Sequence, residues 1–375
     1  MNFHGLPKTQ KMKTLFKKML TQPIKSMVAP GLPIVLSFFL LISSSCHNSD
    51  HDRRCDECEC LANRYQQTNL VSDTNSFTGT IIDPNLVNAW GIAIGPTGAF
   101  WISSNNAGKS VIYNNSGNTL LPPVSIPSPT PNVPGAPTGV VYNSTSSFRG
   151  TKFIFATEDG TIVSWTSGTM GVIQADRSST SAVYKGLAIA RDNGNDYIYA
   201  TNFRSGAIDV FDSAFHYVTG RAFTDPNIPA GFAPFNIRNI EGQLYVTYAK
   251  QKPDKHDDLA GHGNGFVDVY RPDGSFIRRF ATQGTLNSPW GITPGCSGFD
   301  NNRSVILISN FGDGRINAYN RNGDYLGQLK NGNTPITIRG IWAIESNIPN
   351  APNKIYFTAG PFDEAHGLFG YLHRF

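Results

Sequence analysis

Charged residues are scarce in this chain, and the signatures of several common enzyme classes are missing. Asp, Glu, Lys and Arg together make up 15% of the 375 residues. Six of the lysines precede residue 30: Lys8, Lys11, Lys13, Lys17, Lys18 and Lys25. The remainder has no basic cluster of the kind that binds nucleic acid, so no nucleic-acid partner is expected. The chain also lacks a G-x-S-x-G elbow, an H-E-x-x-H helix and a phosphate-binding glycine loop.

No apolar run is long enough to span a bilayer comfortably. The longest near the N-terminus, Leu32 to Ile42, follows a basic region ending at Lys25 and precedes Ser43-Ser44-Ser45-Cys46. This order is typical of a secretory signal. Small residues directly before a cysteine resemble a bacterial lipoprotein signal, which predicts that residues 1–46 direct export and that Cys46 is lipidated. Cleavage without lipidation is the alternative.

Cysteines are also few, with five in the chain. Cys55, Cys58 and Cys60 lie in a polar segment, residues 47–64, that is predicted to be a flexible tether. A metal site there would need a fourth ligand, such as His47 or His51. One local disulfide with a spare thiol is the favoured alternative in an oxidising compartment. Cys296 stands alone.

What the chain has in abundance is glycine, proline and aromatic residues, arranged in a repeat. There are 37 Gly, 24 Pro and 24 Phe, which favours many short strands and tight turns. Six segments open with a similar motif about every 50 residues, the spacing of propeller blades. The openings are Trp90-Gly91-Ile92, Thr138-Gly139-Val140, Lys185-Gly186-Leu187, Phe235-Asn236-Ile237, Trp290-Gly291-Ile292 and Arg339-Gly340-Ile341.

Each opening is followed by two strand-like segments rich in β-branched and aromatic residues. The first of the two begins at Phe100, Phe153, Tyr197, Leu244, Val305 and Lys354. The last repeat ends after its third strand, and Tyr65 to Asp73 (YQQTNLVSD) has no other partner. We therefore predict an all-β, six-bladed β-propeller over residues 65–375, closed by the N-terminal strand joining the last blade.

The chain resembles NHL-like six-bladed propellers and is more similar still to an uncharacterised family of secreted bacterial propeller proteins. The motifs that carry the resemblance are NLVSD (Asn69 to Asp73), NAWGIA (Asn88 to Ala93), KHDD followed by GNGFVDVY (Lys255 to Tyr270) and AGPFDEAHGLFG (Ala359 to Gly370). The resemblance covers the whole predicted fold and implies export. It implies no particular reaction.

The residues that end the second strands are predicted to form a ring on one face of the propeller. They are Asn105, Glu158, Asn202, Tyr248, Asn310 and Ala359. Carboxylate and amide oxygens suit a hard cation, so Glu158, Asn105, Asn202 and Asn310 form a candidate calcium site. Six-bladed lactonases related to gluconolactonase are similar in holding a metal with a Glu/Asn/Asn/Asp set, although no aspartate fills the fourth place here. Alternatively, these asparagines end strands because Asn tolerates turn geometry.

Two longer loops are expected on the same face, and both carry carboxylates and a histidine. The blade-four loop contains His256, Asp257 and Asp258, and the blade-six loop contains Glu364 and His366. These residue types coordinate metals or transfer protons. Long insertions in a tight repeat call for an explanation, and we interpret these five residues as candidate ligand-binding residues.

Three functions follow as hypotheses. The first is an exported binding or scaffold protein of the bacterial cell envelope, anchored to the membrane only through its lipid. Its partner would be an envelope protein, a glycan or a small molecule. The second is a calcium-dependent lactonase-like hydrolase, with a base such as His256 or Asp257. The third is a structural module whose loops only stabilise the blades, because propellers support many unrelated functions.

Overall fold

The structure is a computed structural model that describes residues 64–295, 305–349 and 351–375. The predicted export segment with Cys46, the cysteines of the tether and Cys296 lie outside the described residues. Strands dominate the described part, and its helical elements are the short 3-10 turns Phe148–Gly150 and Ser178–Thr180. No described helix has the length and apolar character needed to cross a membrane.

Six of the seven sheets formed by the described strands are the blades, and the four main strands of each blade are antiparallel. In each blade the chain runs from the innermost strand outwards. Blade one contains β3 (Ala89–Ile94), β4 (Phe100–Ser104), β5 (Lys109–Tyr113) and β6 (Thr119–Ser125). Blade two contains β7 (Pro137–Tyr142), β8 (Phe153–Thr157), β9 (Thr161–Trp165) and β10 (Val172–Asp176). Blade three contains β11 (Tyr184–Asp192), β12 (Asn195–Asn202), β13 (Ala207–Phe211) and β14 (Tyr217–Val218).

Blades four to six follow the same order. Blade four contains β15 (Phe232–Ile240), β16 (Gln243–Lys250), β17 (Gly265–Tyr270) and β18 (Phe276–Thr282). Blade five contains β19 (Pro289–Pro294), β20 (Val305–Asn310), β21 (Ile316–Asn320) and β22 (Tyr325–Gln328), followed by a ribbon of β23 (Lys330–Asn331) and β24 (Thr334–Pro335). Blade six contains β25 (Ile341–Glu345), β26 (Lys354–Ala359) and β27 (Leu368–Arg374). The predicted six-bladed all-β fold is confirmed.

The ring is closed by the first described strands, as predicted. β1 (Tyr65–Ser72) pairs antiparallel with β27, from Tyr65 opposite Arg374 to Ser72 opposite Leu368. β2 (Ile81–Ile82) adds to the outer edge of β1. Tyr65 and Val71 are buried. The closing strand therefore covers the edge that β27 would otherwise expose.

Glycine near the start of the inner strands allows neighbouring blades to approach closely. A Cβ atom on Gly91 would lie 2.5 Å from the carbonyl oxygen of Thr138, and one on Gly291 would lie 2.6 Å from that of Trp342. Such distances exclude a side chain, so the glycines of the repeat are a packing requirement of the inner ring.

The sixth opening differs from the expected Arg339-Gly340-Ile341. In blade five Pro289 pairs with Asn310, and in blade six Ile341 pairs with Ala359. The residue equivalent to Trp290 is therefore Trp342, and Ala343 takes the place of the glycine. The predicted opening was wrong because the sixth repeat was aligned with the others on its glycine. The sheet register instead aligns Trp342 with Trp290.

The hydrophobic core lies between adjacent blades, and the inner strands surround a central channel. At one end the channel forms an open cavity of about 340 Å³, which is lined by the inner strands. Arg238 of blade four reaches Glu345 of blade six there through two hydrogen bonds of 2.6 Å. The opposite end is closed by aromatic side chains, and the candidate site lies above them.

Candidate ligand-binding site on the loop face

One face of the propeller collects the loops that follow the second strands, and we call it the loop face. These loops comprise residues 105–108, 158–160, 203–206, 251–264, 311–315 and 360–367. Because all six second strands run in the same direction along the channel, their ends meet on this face. The inner strands begin on this face. Side chains after the second strands and side chains at the start of the inner strands therefore come together.

Three tryptophans from separate inner strands form the floor of the site. Trp90 and Trp342 stack with ring centroids 3.7 Å apart, and Trp290 contacts both edge-on at 5.9 Å. All three are buried, and Phe235 of blade four contacts Trp342 edge-on. Residues from blades one, four, five and six therefore meet across the axis and close the channel at this end.

A buried lysine lies against this floor. Lys185, in β11, is 1% exposed, and its Nζ atom is 5.0 Å from the Trp90 ring centroid. It donates a hydrogen bond to Glu158 and lies 3.4 Å from Oδ1 of Asp257. Burial opposes the charge on Lys185, but the attraction of Glu158 and Asp257 exceeds this effect and raises the pKa of the ammonium group. Lys185 is therefore a protonated, fixed positive charge.

Glu158 is held on both of its oxygens. One accepts the hydrogen bond from Lys185, and Oε2 accepts a 2.9 Å hydrogen bond from Nδ2 of Asn105. Asn105 and Glu158 directly follow the second strands of adjacent blades, so the observed strands end one residue before the predicted strand ends. Lys185 and Asn105 thus supply one donor to each carboxylate oxygen.

His256 and Asp257 form the more accessible part of the site. Nδ1 of His256 is 2.9 Å from Oδ1 of Asp257 and 4.0 Å from Oε1 of Glu158. The two side chains are 38% and 45% exposed. The hydrogen bond to Asp257 raises the pKa of His256 against the effects of burial and of Lys185. The same hydrogen bond lowers the pKa of Asp257.

Glu364 approaches the site from the blade-six loop. Its Oε2 atom accepts a 2.7 Å hydrogen bond from Asn88, whose Oδ1 accepts one of 3.0 Å from Nε1 of Trp342. Asn106 donates to the Glu364 backbone carbonyl at 2.8 Å. Burial raises the pKa of Glu364, while Lys185 and the hydrogen bond from Asn88 lower it. Burial has the largest effect, so the pKa of Glu364 is raised overall.

The other predicted site residues make contacts elsewhere. Asn202 accepts from the backbone of Val183 and donates to Asp209, and Asn310 donates to the carbonyl of Thr285. Asp258 is buried, which raises its pKa, and its Oδ2 atom has no hydrogen-bond partner among the described residues. His366 lies 2.9 Å from Asp73 and attaches the blade-six loop to the segment after β1.

Four residues of the site were not identified from the sequence: Lys185, Asn88, Asn106 and Trp342. A signal for Lys185 was present, because it is a charged residue inside an otherwise apolar strand segment, YKGLAIA. A charge at such a position is buried only with a partner. No comparable signal identified Asn88, whose role depends on its contacts with Trp342 and Glu364.

The fold and site define a six-bladed β-propeller with a charged cluster above an aromatic floor. No family model matches the chain. It is 33% identical over 321 residues to "Uncharacterized protein R648" of Acanthamoeba polyphaga mimivirus, covering 80% of this chain and 78% of that protein. It is also 33% identical over 322 residues to "Uncharacterized protein L690" of the same virus, covering 81% and 84%. The chain belongs to the same family as these viral proteins.

Solved structures show the same fold at low identity. A protein of unknown function from Bacteroides thetaiotaomicron has a TM-score of 0.54 at 12% identity, covering 83% of this chain and 76% of that chain. A streptogramin B lyase has a TM-score of 0.50 at 14% identity, covering 83% and 97%. A putative gluconolactonase has a TM-score of 0.50 at 14% identity, covering 77% and 89%. These likenesses establish the propeller fold alone.

Proposed function

We propose that this protein binds a small polar ligand on the loop face, above the three tryptophans. The observation that supports this best is the convergence of Glu158, Lys185, His256 and Asp257 from three blades. Two largely buried charges lie beneath a half-exposed His–Asp pair. Burying charge costs free energy, and buried charged groups with perturbed pKa values are typical of functional positions.

The cluster combines hydrogen-bond donors and acceptors within a few ångströms. His256 and Asp257 are accessible to a ligand, while Lys185 and Glu158 fix the local field beneath them. Asn106 and Glu364 extend the polar surface towards blade six, and the buried Asn88 holds Glu364 from beneath. This arrangement suits a ligand with several hydroxyl, amide or carboxyl groups, since each can pair with a fixed partner.

A screen by thermal shift tests this proposal. The wild-type protein is challenged with sugars, hydroxy acids, amines and lactones, and each hit is repeated on Asp257→Asn. The matched control is Asp273→Asn, an exposed aspartate in the blade-four turn on the opposite face. We expect hits that Asp257→Asn abolishes and the control retains. Hits that both variants retain, or no hit at millimolar concentration, would contradict the proposal.

The cellular context is a further part of the proposal and is supported by the sequence of residues 1–46. We propose an exported binding or scaffold protein of the cell envelope, attached through lipid on Cys46, whose ligand is an envelope protein, a glycan or a small molecule. Detergent partitioning and mass spectrometry of the mature N-terminus test this. A Cys46→Ser variant should move to the aqueous phase, and an unmodified wild-type N-terminus would exclude the anchor.

Metal-dependent, lactonase-like hydrolysis is the second candidate. One ligand atom from each of Glu158, His256 and Asp257 lies within 4.8 Å of the others, a spacing that fits a metal ion. One nitrogen and two oxygens suit zinc or manganese better than calcium, which prefers oxygen ligands. A cation would compete with the Lys185 ammonium group for Glu158 and Asp257, so this candidate ranks second.

Calcium held by Glu158, Asn105, Asn202 and Asn310 remains a proposal. The bonds of Asn202 to Asp209 and of Asn310 to Thr285 favour the Glu158–His256–Asp257 set over it. Elemental analysis followed by calcium and zinc titration of wild type and Glu158→Gln separates the two sets. A stoichiometric metal lost in Glu158→Gln, with lactone hydrolysis that depends on it, would raise hydrolysis above simple binding.

A further inference from the structure

A second cavity opens on the loop face beside the charged cluster, between blades five and six. It has a volume of about 940 Å³. Three phenylalanines from separate segments line it: Phe77 after β1, Phe311 after β20 and Phe362 after β26. We call this cavity the phenylalanine cleft. Three rings brought to one surface from distant parts of the chain provide an apolar platform for a ligand.

The turn that presents Phe362 is conformationally unusual. Phe362, Asp363 and Glu364 have φ values of 57°, 54° and 67°, so three consecutive residues other than glycine occupy the left-handed region. For residues other than glycine this region is strained, because the Cβ atom comes too close to the following carbonyl oxygen. The turn leaves the Phe362 ring 56% exposed and brings Glu364 to Asn88. Backbone strain of this kind is typical of functional positions.

The cleft is linked to the proposed binding site through packed, largely buried side chains. Phe311 stacks on Trp342 with centroids 3.9 Å apart and planes 14° apart. Trp342 donates to Asn88, and Asn88 donates to Glu364. Asp363, which lines the cleft, directly precedes Glu364, so the blade-six loop contributes to both the cleft and the polar site. Phe77 and Phe362, with centroids 6.0 Å apart, extend the apolar surface outwards.

We propose that the phenylalanine cleft binds a sugar ring and that the ligand of the loop face is an oligosaccharide. The cleft offers aromatic faces for the C–H surface of the ring. Its polar side chains include donors and acceptors for hydroxyl groups: Gln67, Asp313, Arg339 and Asp363. Two carboxylates and one guanidinium leave one net negative charge, which favours a neutral, hydroxyl-rich ring over an anion. This inference depends on the proposed function, since the same ligand would reach His256 and Asp257.

Isothermal titration of the full-length protein with maltotriose, cellotriose and chitotriose provides the test, supported by saturation-transfer NMR to locate the sugar protons near aromatic rings. We expect at least one trisaccharide to bind. Phe362→Ala should weaken that binding about tenfold or more, because it removes an exposed aromatic face of the cleft. Phe362→Trp, which keeps an aromatic face, should retain it. Phe276→Ala removes an exposed phenylalanine from the outer strand of blade four and serves as the matched control.

The outcomes separate this inference from the proposed function. If Asp257→Asn abolishes saccharide binding and Phe362→Ala leaves it unchanged, the phenylalanine cleft does not bind the sugar. The proposal of a ligand site at His256 and Asp257 would then stand. If none of the three saccharides binds but another class of ligand does so in a way that depends on Asp257, the assignment of a sugar is wrong. The proposed function would still stand. Binding weakened equally by Phe362→Ala and by Phe276→Ala would also overturn it.

Discussion

The ammonium group of Lys185 donates a hydrogen bond to Oε1 of Glu158 beneath the loop face, and the lysine side chain is 2% exposed. The pair joins blade three to blade two. Because Asn105 holds the other carboxylate oxygen, the carboxylate is fixed on both sides. Four predictions follow from this pair, from its neighbours and from the ring closure.

Replacing Lys185 by Met should strongly destabilise the fold. The substitution leaves the Glu158 carboxylate largely buried without its positive partner, and breaking a buried pair in this way costs about 3–5 kcal/mol. Urea unfolding measures the free energy. Lys152→Met, at an exposed lysine, is the control. Adding Glu158→Gln should recover part of the loss, and a Lys185→Met variant within about 1 kcal/mol of wild type would contradict the expectation.

The same Lys185→Met substitution should increase the affinity for zinc. Without the ammonium group, the ligand atoms of Glu158, His256 and Asp257 retain their close spacing and lose their competing cation. We expect at least about tenfold tighter binding than in wild type, equivalent to about 1.4 kcal/mol. Titration calorimetry measures it, and adding His256→Ala should remove the gain. Equal zinc affinity in wild type and variant would show that Lys185 does not occupy the cation position.

The His256–Asp257 pair should stabilise the fold over a defined pH range. The pKa of His256 is raised in the folded protein. Its contribution to the free energy of unfolding is therefore complete below the pKa of the unfolded state, about 6.5, and is lost as pH rises through the pKa of the folded state. Asp257 has a lowered pKa, so its contribution is present above about 3.9 and is lost as pH falls through its folded value. The pair is therefore most stabilising between these limits.

Asp257→Asn provides the measurement for this pH range. In an NMR titration the pKa of His256 should fall in the variant, because the hydrogen bond to a carboxylate is lost while burial and Lys185 remain. The stability difference from wild type should shrink above the His256 pKa. An unchanged histidine titration would mean that Asp257 does not determine the charge of His256.

Removal of the closing strand should prevent cooperative folding. A chain starting at residue 75 lacks β1, and β27 then exposes its edge together with the core side chains that Tyr65 and Val71 cover. A chain starting at Arg64 retains the strand and is the control. Circular dichroism during heating and limited proteolysis compare the two. A sharp transition at the same temperature for both would show that the ring does not depend on β1.

Most of the fold could be predicted from the sequence, because strand patterning and blade period are local properties of the chain. The second strand of blade five was expected from Val305 to Asn310 and is observed there. The closing strand was expected from Tyr65 to Asp73 and ends at Ser72. The register of the inner strands was harder to predict from the sequence. Alignment on Gly340 missed the equivalence of Trp342 to Trp290, because the glycine signal reports a close backbone approach and Ala343 occupies that position instead.

The candidate site could be predicted only in part. His256, Asp257, Glu158 and Asn105 were identified because they end strands or lie in long loops. Lys185 was missed because it lies inside a strand, and Asn202 makes its contacts within its own blade.

The sequence by itself determined the class of fold, the number of blades and the face on which the polar loops gather, since these depend on periodicity and turn residues along the chain. Only the tertiary structure decided which side chains meet above the tryptophans. Lys185, Glu158 and Asp257 come from three blades, and Glu364 approaches from a fourth. Their distances depend on blade register and loop conformation, which are determined by packing across the whole ring.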